Sequence, residues 1–170
     1  MFFKGLKEKS IQKAITKTNS FRVLNDENTA VKKLGLIVNT NDVAISDADI
    51  KKIKAVFLNP HIEMVFFTKE DKKSNQDNAL ISPKNIGWRA VLKSKELKTF
   101  SATNFDILIS LSFSFNIYFN VITAMTKANF KVSTSEYNQE LNDLSLTMTH
   151  FDIGMFTSEL KKYLTILNRI

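Results

Sequence analysis

Cysteine is absent from this 170-residue chain, which removes disulfide frameworks, thiolate zinc sites and cysteine nucleophiles together. The same absence suits a reducing compartment. Histidine is nearly absent: His61 and His150 stand far apart, and no ligand spacing joins them to the carboxylates. We therefore expect no metal and no cofactor. Glycine (4) and proline (2) are scarce. No Gly-x-Gly-x-x-Gly follows the first apolar run, and Asn39-Thr40-Asn41-Asp42 is a poor bed for a pyrophosphate, which needs backbone bare of side chains. Walker loops and Gly-x-Ser-x-Gly elbows are missing too. The start, Met1-Phe2-Phe3-Lys4-Gly5, lacks the apolar stretch of a secretory signal. From Ile107 to Thr126 there is no charge for 20 residues, a length that could span a bilayer. Ser110, Ser112, Ser114, Asn116, Asn120 and Thr123 interrupt it, so it reads as a buried strand and helix rather than a transmembrane segment. These features together lead us to expect a cytoplasmic protein.

What is present suits one globular domain over 1–170, with a basic helical segment in 1–24 and an α/β core in 34–170. The first helix, Lys7 to Asn19, turns Ile11, Ala14 and Ile15 to one side and Lys9, Lys13 and Lys17 to the other. Asn25 to Asn28 reads as a loop. Leu34 to Val38 is a continuous apolar run, the pattern of a strand covered on both faces. Ser46 caps a helix whose first turn holds Asp47 and Asp49. Ile62 to Phe67 is a second strand, and the polar stretch Lys69 to Asn78 a loop. Further strands are expected at Trp88–Leu92, Phe105–Ile109, Phe130–Val132 and Leu144–Met148. Helices are expected from Asn116 to Ala128 and from Met155 to Asn168.

Strands alternating with helices imply a three-layer α/β domain, Rossmann-like or flavodoxin-like, with a mainly parallel sheet and a basic N-terminal helix. In such folds ligands bind at the carboxyl ends of the strands, near the point where strand order reverses. Candidate ligand-binding residues are therefore Asn39, Thr40, Asp42, Ser110, Ser112 and Ser114. No catalytic residue stands out. His150 with Asp152 reads as loop and helix start rather than as a general base, and Asp106, at a strand's amino end, as a residue fixing a turn.

Charge is the remaining clue, with 24 basic against 17 acidic residues and a balance of +7. Lys9, Lys13, Lys17 and Arg22 are candidates for contact with an anionic partner, RNA or a ribonucleoprotein. A second basic cluster, through Lys69, Lys72, Lys73, Lys84, Arg89, Lys93, Lys95 and Lys98, interleaves Trp88 and Phe100. Exposed, those rings would suit stacking on single-stranded bases; Trp88 in its apolar setting reads first as core.

Ser82-Pro83-Lys84-Asn85-Ile86-Gly87-Trp88-Arg89, Phe105 to Ile109, Ala128 to Val132, Phe151-Asp152 and Tyr163 to Asn168 resemble a family of small Bacteroidetes proteins known only as a domain of unknown function. The resemblance implies a bacterial, cytoplasmic protein and no particular activity. The strand–helix–strand around Phe105-Asp106 is also similar to the acceptor half of heptosyltransferase-type glycosyltransferases. That likeness implies a fold, since 170 residues leave no room for the second, sugar-nucleotide half.

The expectation is a non-catalytic binding or interaction module meeting an anionic partner through its N-terminal helix. One alternative is a small enzyme or binding protein for a phosphorylated or sugar-nucleotide ligand at the strand ends. Another is a peripheral membrane-surface protein using Phe2, Phe3 and Leu6 with the flanking lysines.

Overall fold

A computed structural model describes residues 2–23, 30–70, 79–137 and 139–170. The expected loop at 25–28 and most of the one at 69–78 lie outside the described residues. The chain runs α1 (Phe2–Ser20), β1 (Lys33–Asn39), α2 (Asp47–Val56), β2 (His61–Phe67), β3 (Ala79–Ile81), α3 (Lys95–Ala102), β4 (Phe105–Leu111), α4 (Ile117–Met125), β5 (Ala128–Ser133), β6 (Leu144–Ser145) and α5 (Ile153–Ile166). Short 3-10 turns lie at Pro83–Asn85, Trp88–Ala90 and Gln139–Leu141.

The strands form one six-stranded sheet in the order β3-β2-β1-β4-β5-β6, with every neighbouring pair parallel. Parallel strands bury both faces, which explains the unbroken apolar runs. On β1, Leu34, Leu36 and Val38 pack with Ile53 and Phe57 near α2 and with Phe156, Leu160 and Leu164 of α5. Ile37 turns the other way, toward Ile11 and Ile15 of α1, Leu97 and Phe100 of α3, and Val121 and Ile122 of α4. The result is three layers with a core on each side of the sheet. Gly35 is required where it stands, because a Cβ there would lie 2.8 Å from Leu108 Cδ1 and 2.9 Å from Phe105 Cδ2.

Local signals fix the helix starts. Ser46 and Asp49 form a reciprocal capping box on α2, worth on the order of 1 kcal/mol. Asn116 Oδ1 accepts from Tyr118 and Phe119 N–H at the start of α4, and Asp152 Oδ1 from Met155 N–H at the start of α5. Asp106 Oδ2 accepts from the N–H groups of Lys32 and Lys33 at 2.8 Å each, so it ties the entry of β1 to β4.

Two expectations are corrected. The third strand is Ala79–Ile81, while Trp88–Ala90 is a 3-10 turn closed by a single bridge between Ile86 and Leu92. Arg89 and Ala90 there have φ of 53° and 59°, left-handed values that no strand accommodates. In addition, α3 was not foreseen. It is an eight-residue helix, capped by Ser94 and buried through Leu97, Phe100 and Ser101.

Candidate functional site

The strand order reverses between β1 and β4. After β1 the chain leaves toward the α2–α5 face, and after β4 toward the α1–α3–α4 face. A crevice at their carboxyl ends follows from that divergence, and it is where doubly wound folds hold ligands. Here an internal carboxylate fills it. Asp42 Oδ2 accepts from Ser114 Oγ at 2.7 Å, Ser114 N–H at 2.9 Å and Phe113 N–H at 3.1 Å. Asn39 Nδ2 at 3.2 Å and Ser112 Oγ at 3.4 Å complete the ring of donors. Asn39 Nδ2 also donates to Ser112 Oγ at 3.0 Å.

Backbone N–H groups of this kind bind the phosphate of a nucleotide in related architectures. In this chain Asp42 takes them, and its charge repels a second anion. Beside it, small side chains including Ser110, Ser112, Ser114, Asn120, Thr123, Ser133 and Ser135 surround a cavity of about 10 Å³, the size of one water molecule.

The six candidate ligand residues therefore divide. Asn39, Asp42, Ser112 and Ser114 converge. Thr40 is exposed and donates through both N–H and Oγ1 to Phe67 O, fastening the ends of β1 and β2. Ser110 pairs with Thr123 Oγ1 at 3.0 Å beneath α4. His150 meets Thr149 Oγ1, and Asp152 serves as a helix cap. Among the described residues no three His, Asp or Glu side chains gather as metal ligands, and no helix is long and apolar enough to cross a membrane.

The four candidate anion-binding residues divide as well. Lys9, Lys13 and Lys17 are exposed, on the side of α1 away from buried Ile11 and Ile15. Arg22 is turned inward and forms a two-pronged ion pair with Asp143, which also accepts from Lys131 N–H at 2.7 Å. The neighbouring Lys131 is only 2% exposed and donates to Thr123 O at 2.6 Å, at the end of α4. Burial, reinforced by the Arg22 guanidinium and opposed by Asp143, pushes its ammonium down to about 7. Arg22 and Lys131 line an open recess of about 370 Å³ at the amino end of the sheet. Nothing in the sequence separates this lysine from the exposed ones; only its position in a doubly covered strand does.

At the other end of α1 the structure differs most from expectation. Trp88 is 49% exposed, whereas Phe100 is buried in the core. A groove of about 380 Å³ is lined by Phe3, Lys4, Lys7, Pro83, Trp88 and Tyr118. Lys7 Nζ stands 5.0 Å from the centre of the Tyr118 ring. Its pKa is lowered by burial and then by the Lys93 charge, with Glu8 opposing. The turn signals Ser82-Pro83 and Gly87 mark this segment as loop, and they were the sequence evidence for an exposed tryptophan.

Strand order and layering thus define a doubly wound parallel α/β protein whose switch-point crevice is closed by its own aspartate. The chain belongs to a family of unknown function (DUF6913), whose model matches residues 7–167. No curated protein and no solved structure matches the chain.

Proposed function

We propose that the protein is a non-catalytic interaction module that meets RNA, free or in a ribonucleoprotein, through the lysines of α1. The carrying observation is that Lys4, Lys9, Lys13 and Lys17 are all exposed along a helix whose one acidic residue is Glu8. Such a row neutralises phosphates and releases their counterions. A net charge of +7 strengthens the attraction at long range. Of the charged residues expected to meet the partner, the lysine row remains, with Arg22 engaged elsewhere by Asp143. The reading includes a bacterial cytoplasmic setting, which rests on the family likeness and the absence of cysteine.

A phosphorylated or sugar-nucleotide ligand at the strand ends has less support, because Asp42 already holds the donors there. Attachment to a membrane surface has one favourable observation: Phe3 and Leu6 are 74% and 40% exposed beside lysines.

The test is an anisotropy titration of a labelled single-stranded RNA over a range of salt. Affinity should fall on a log–log plot with a slope of about 0.7 per phosphate engaged. Lys9→Glu, Lys13→Glu and Lys17→Glu together should flatten that slope. No binding at low salt, or binding to anionic vesicles alone, would overturn the reading.

A further inference from the structure

The loop from Ser82 to Lys93 is built to hold Trp88 outward. Gly87 N–H donates to Val91 O at 2.7 Å, Val91 N–H to Trp88 O at 3.1 Å and Lys93 N–H to Asn85 O at 2.8 Å. Ser82 and Asn85 close the first turn of the loop through a capping box. Consecutive left-handed residues, Arg89 at φ 53° and Ala90 at φ 59°, are a strained backbone for side-chain-bearing residues. Contacts with α1 hold them in place: Arg89 N–H donates to Ser10 Oγ at 3.1 Å, and Ala90 is buried at 4% exposure. This rigid mount keeps a large aromatic ring half in solvent, where burying it would have stabilised the fold.

The ring opens onto the groove of about 380 Å³ walled by Pro83, Tyr118 and Phe3. Lys4 and Lys7 line its rim, and Lys93 lies close enough to Lys7 to depress that lysine's pKa. The Lys4 and Lys7 ammonium groups beside this aromatic recess favour an anion next to it. A flat apolar body joined to a phosphate combines both requirements. A lipid surface would be met by the protruding Phe3 and Leu6 and would leave the recess beside Trp88 unused.

We propose that this groove seats an unpaired base of single-stranded RNA against the Trp88 ring, with the adjoining phosphate beside Lys4 and Lys7. The proposal rests on the RNA-contact reading of α1 and adds strandedness to it: aromatic platforms beside a basic track bind single strands with little sequence preference. Duplex RNA, whose bases are stacked internally, engages the lysine row but not the groove.

Trp88 is the only tryptophan in the chain, so its emission reports on this groove alone. The full chain is titrated with oligouridylate, following tryptophan emission and, with a labelled oligomer, anisotropy. Emission should be quenched in step with the anisotropy rise, while inorganic polyphosphate binds without quenching. Trp88→Ala should weaken single-strand binding by about 5- to 150-fold, the range of base–aromatic stacking. Trp88→Phe should restore most of it, and duplex binding should be unchanged in both variants. Anisotropy rising without quenching, with Trp88→Ala binding as the parent does, would overturn the groove proposal and leave the α1 reading intact. No anisotropy change at low salt would overturn both. Quenching by anionic vesicles but not by oligouridylate would replace the RNA base with a lipid headgroup and overturn the proposal.

Discussion

The carboxyl edge of the sheet and the α1–Trp88 face handle charge in opposite ways. At the sheet edge, polar groups bond mainly to one another: Asp42 Oδ2 accepts the N–H groups of Phe113 and Ser114 and the side-chain donors of Asn39, Ser112 and Ser114, while Asp42 Oδ1 is buried without a partner. On the α1–Trp88 face, lysines project from a helix with a single acid, and a tryptophan stays half in water. The first region has the location of a binding site and the bonding of a structural core. The second has an unremarkable location in the fold and the composition of a contact surface. Position within a fold thus indicates where to look, and the hydrogen-bond partners decide what is found there.

The sharpest way to break this comparison is to open the crevice. Asp42→Ala leaves two backbone N–H groups without their acceptor, at a cost of about 1–3 kcal/mol for each donor left unsatisfied. Urea unfolding should show a loss on the order of 2–5 kcal/mol, and RNA affinity measured on the folded fraction should stay within about twofold. A small loss accompanied by gain of nucleotide binding would return the site to the sheet edge.

Arg22 gives the next largest effect. Arg22→Met strands Asp143, whose side chain is 8% exposed, and breaking such a buried pair costs about 3–5 kcal/mol at most. We expect roughly 2–4 kcal/mol by the same measurement, with the salt dependence of RNA binding unchanged. A flatter salt slope in this variant would place Arg22 back among the contact residues.

Lys131 predicts a pH effect of definite sign. Its folded pKa, about 7, lies below the unfolded 10.5, so between those values the unfolded chain binds more protons. Stability should therefore rise as pH goes from 7 toward 10, by up to about 1.4 kcal/mol per unit from this group. Lys131→Met should remove that rise, as followed by thermal unfolding at pH 6.5, 8 and 9.5. A variant with the same pH dependence as the parent would show that the buried amine is not its source.

The smallest expected effect is the stability change in the triple Lys9→Glu, Lys13→Glu, Lys17→Glu variant, within about 0.5 kcal/mol, since all three are exposed. That near-neutrality makes a binding defect in the variant interpretable.

The sheet was legible where apolar runs are long. Leu34 to Val38, Ile62 to Phe67 and Phe105 to Ile109 are the adjacent parallel strands β2-β1-β4 that such runs require. The caps at Ser46 and Asn116 were legible because short polar side chains precede apolar periodicity. By contrast, α3 has only Leu97 and Phe100 as large apolar residues over two turns, too few to establish a period. Trp88 to Leu92 is mostly apolar, as a short strand would be, but Gly87 and the two left-handed residues make it a loop. At the sheet edge, fold rules brought Asn39, Asp42, Ser112 and Ser114 to one place. That Asp42 bonds to residues some seventy positions away is a tertiary fact that no local spacing carries.

On the proposed reading, the contact surface lies on the α1–Trp88 face and not at the strand ends. Amide chemical-shift mapping of the full chain with a short oligouridylate tests it most directly. Perturbations should run along Lys4 to Lys17 and from Lys84 to Lys93, with Asn39 to Asp42 and Ser112 to Ser114 unmoved. Shifts concentrated at Asn39 to Asp42 and Ser112 to Ser114, with α1 silent, would contradict it.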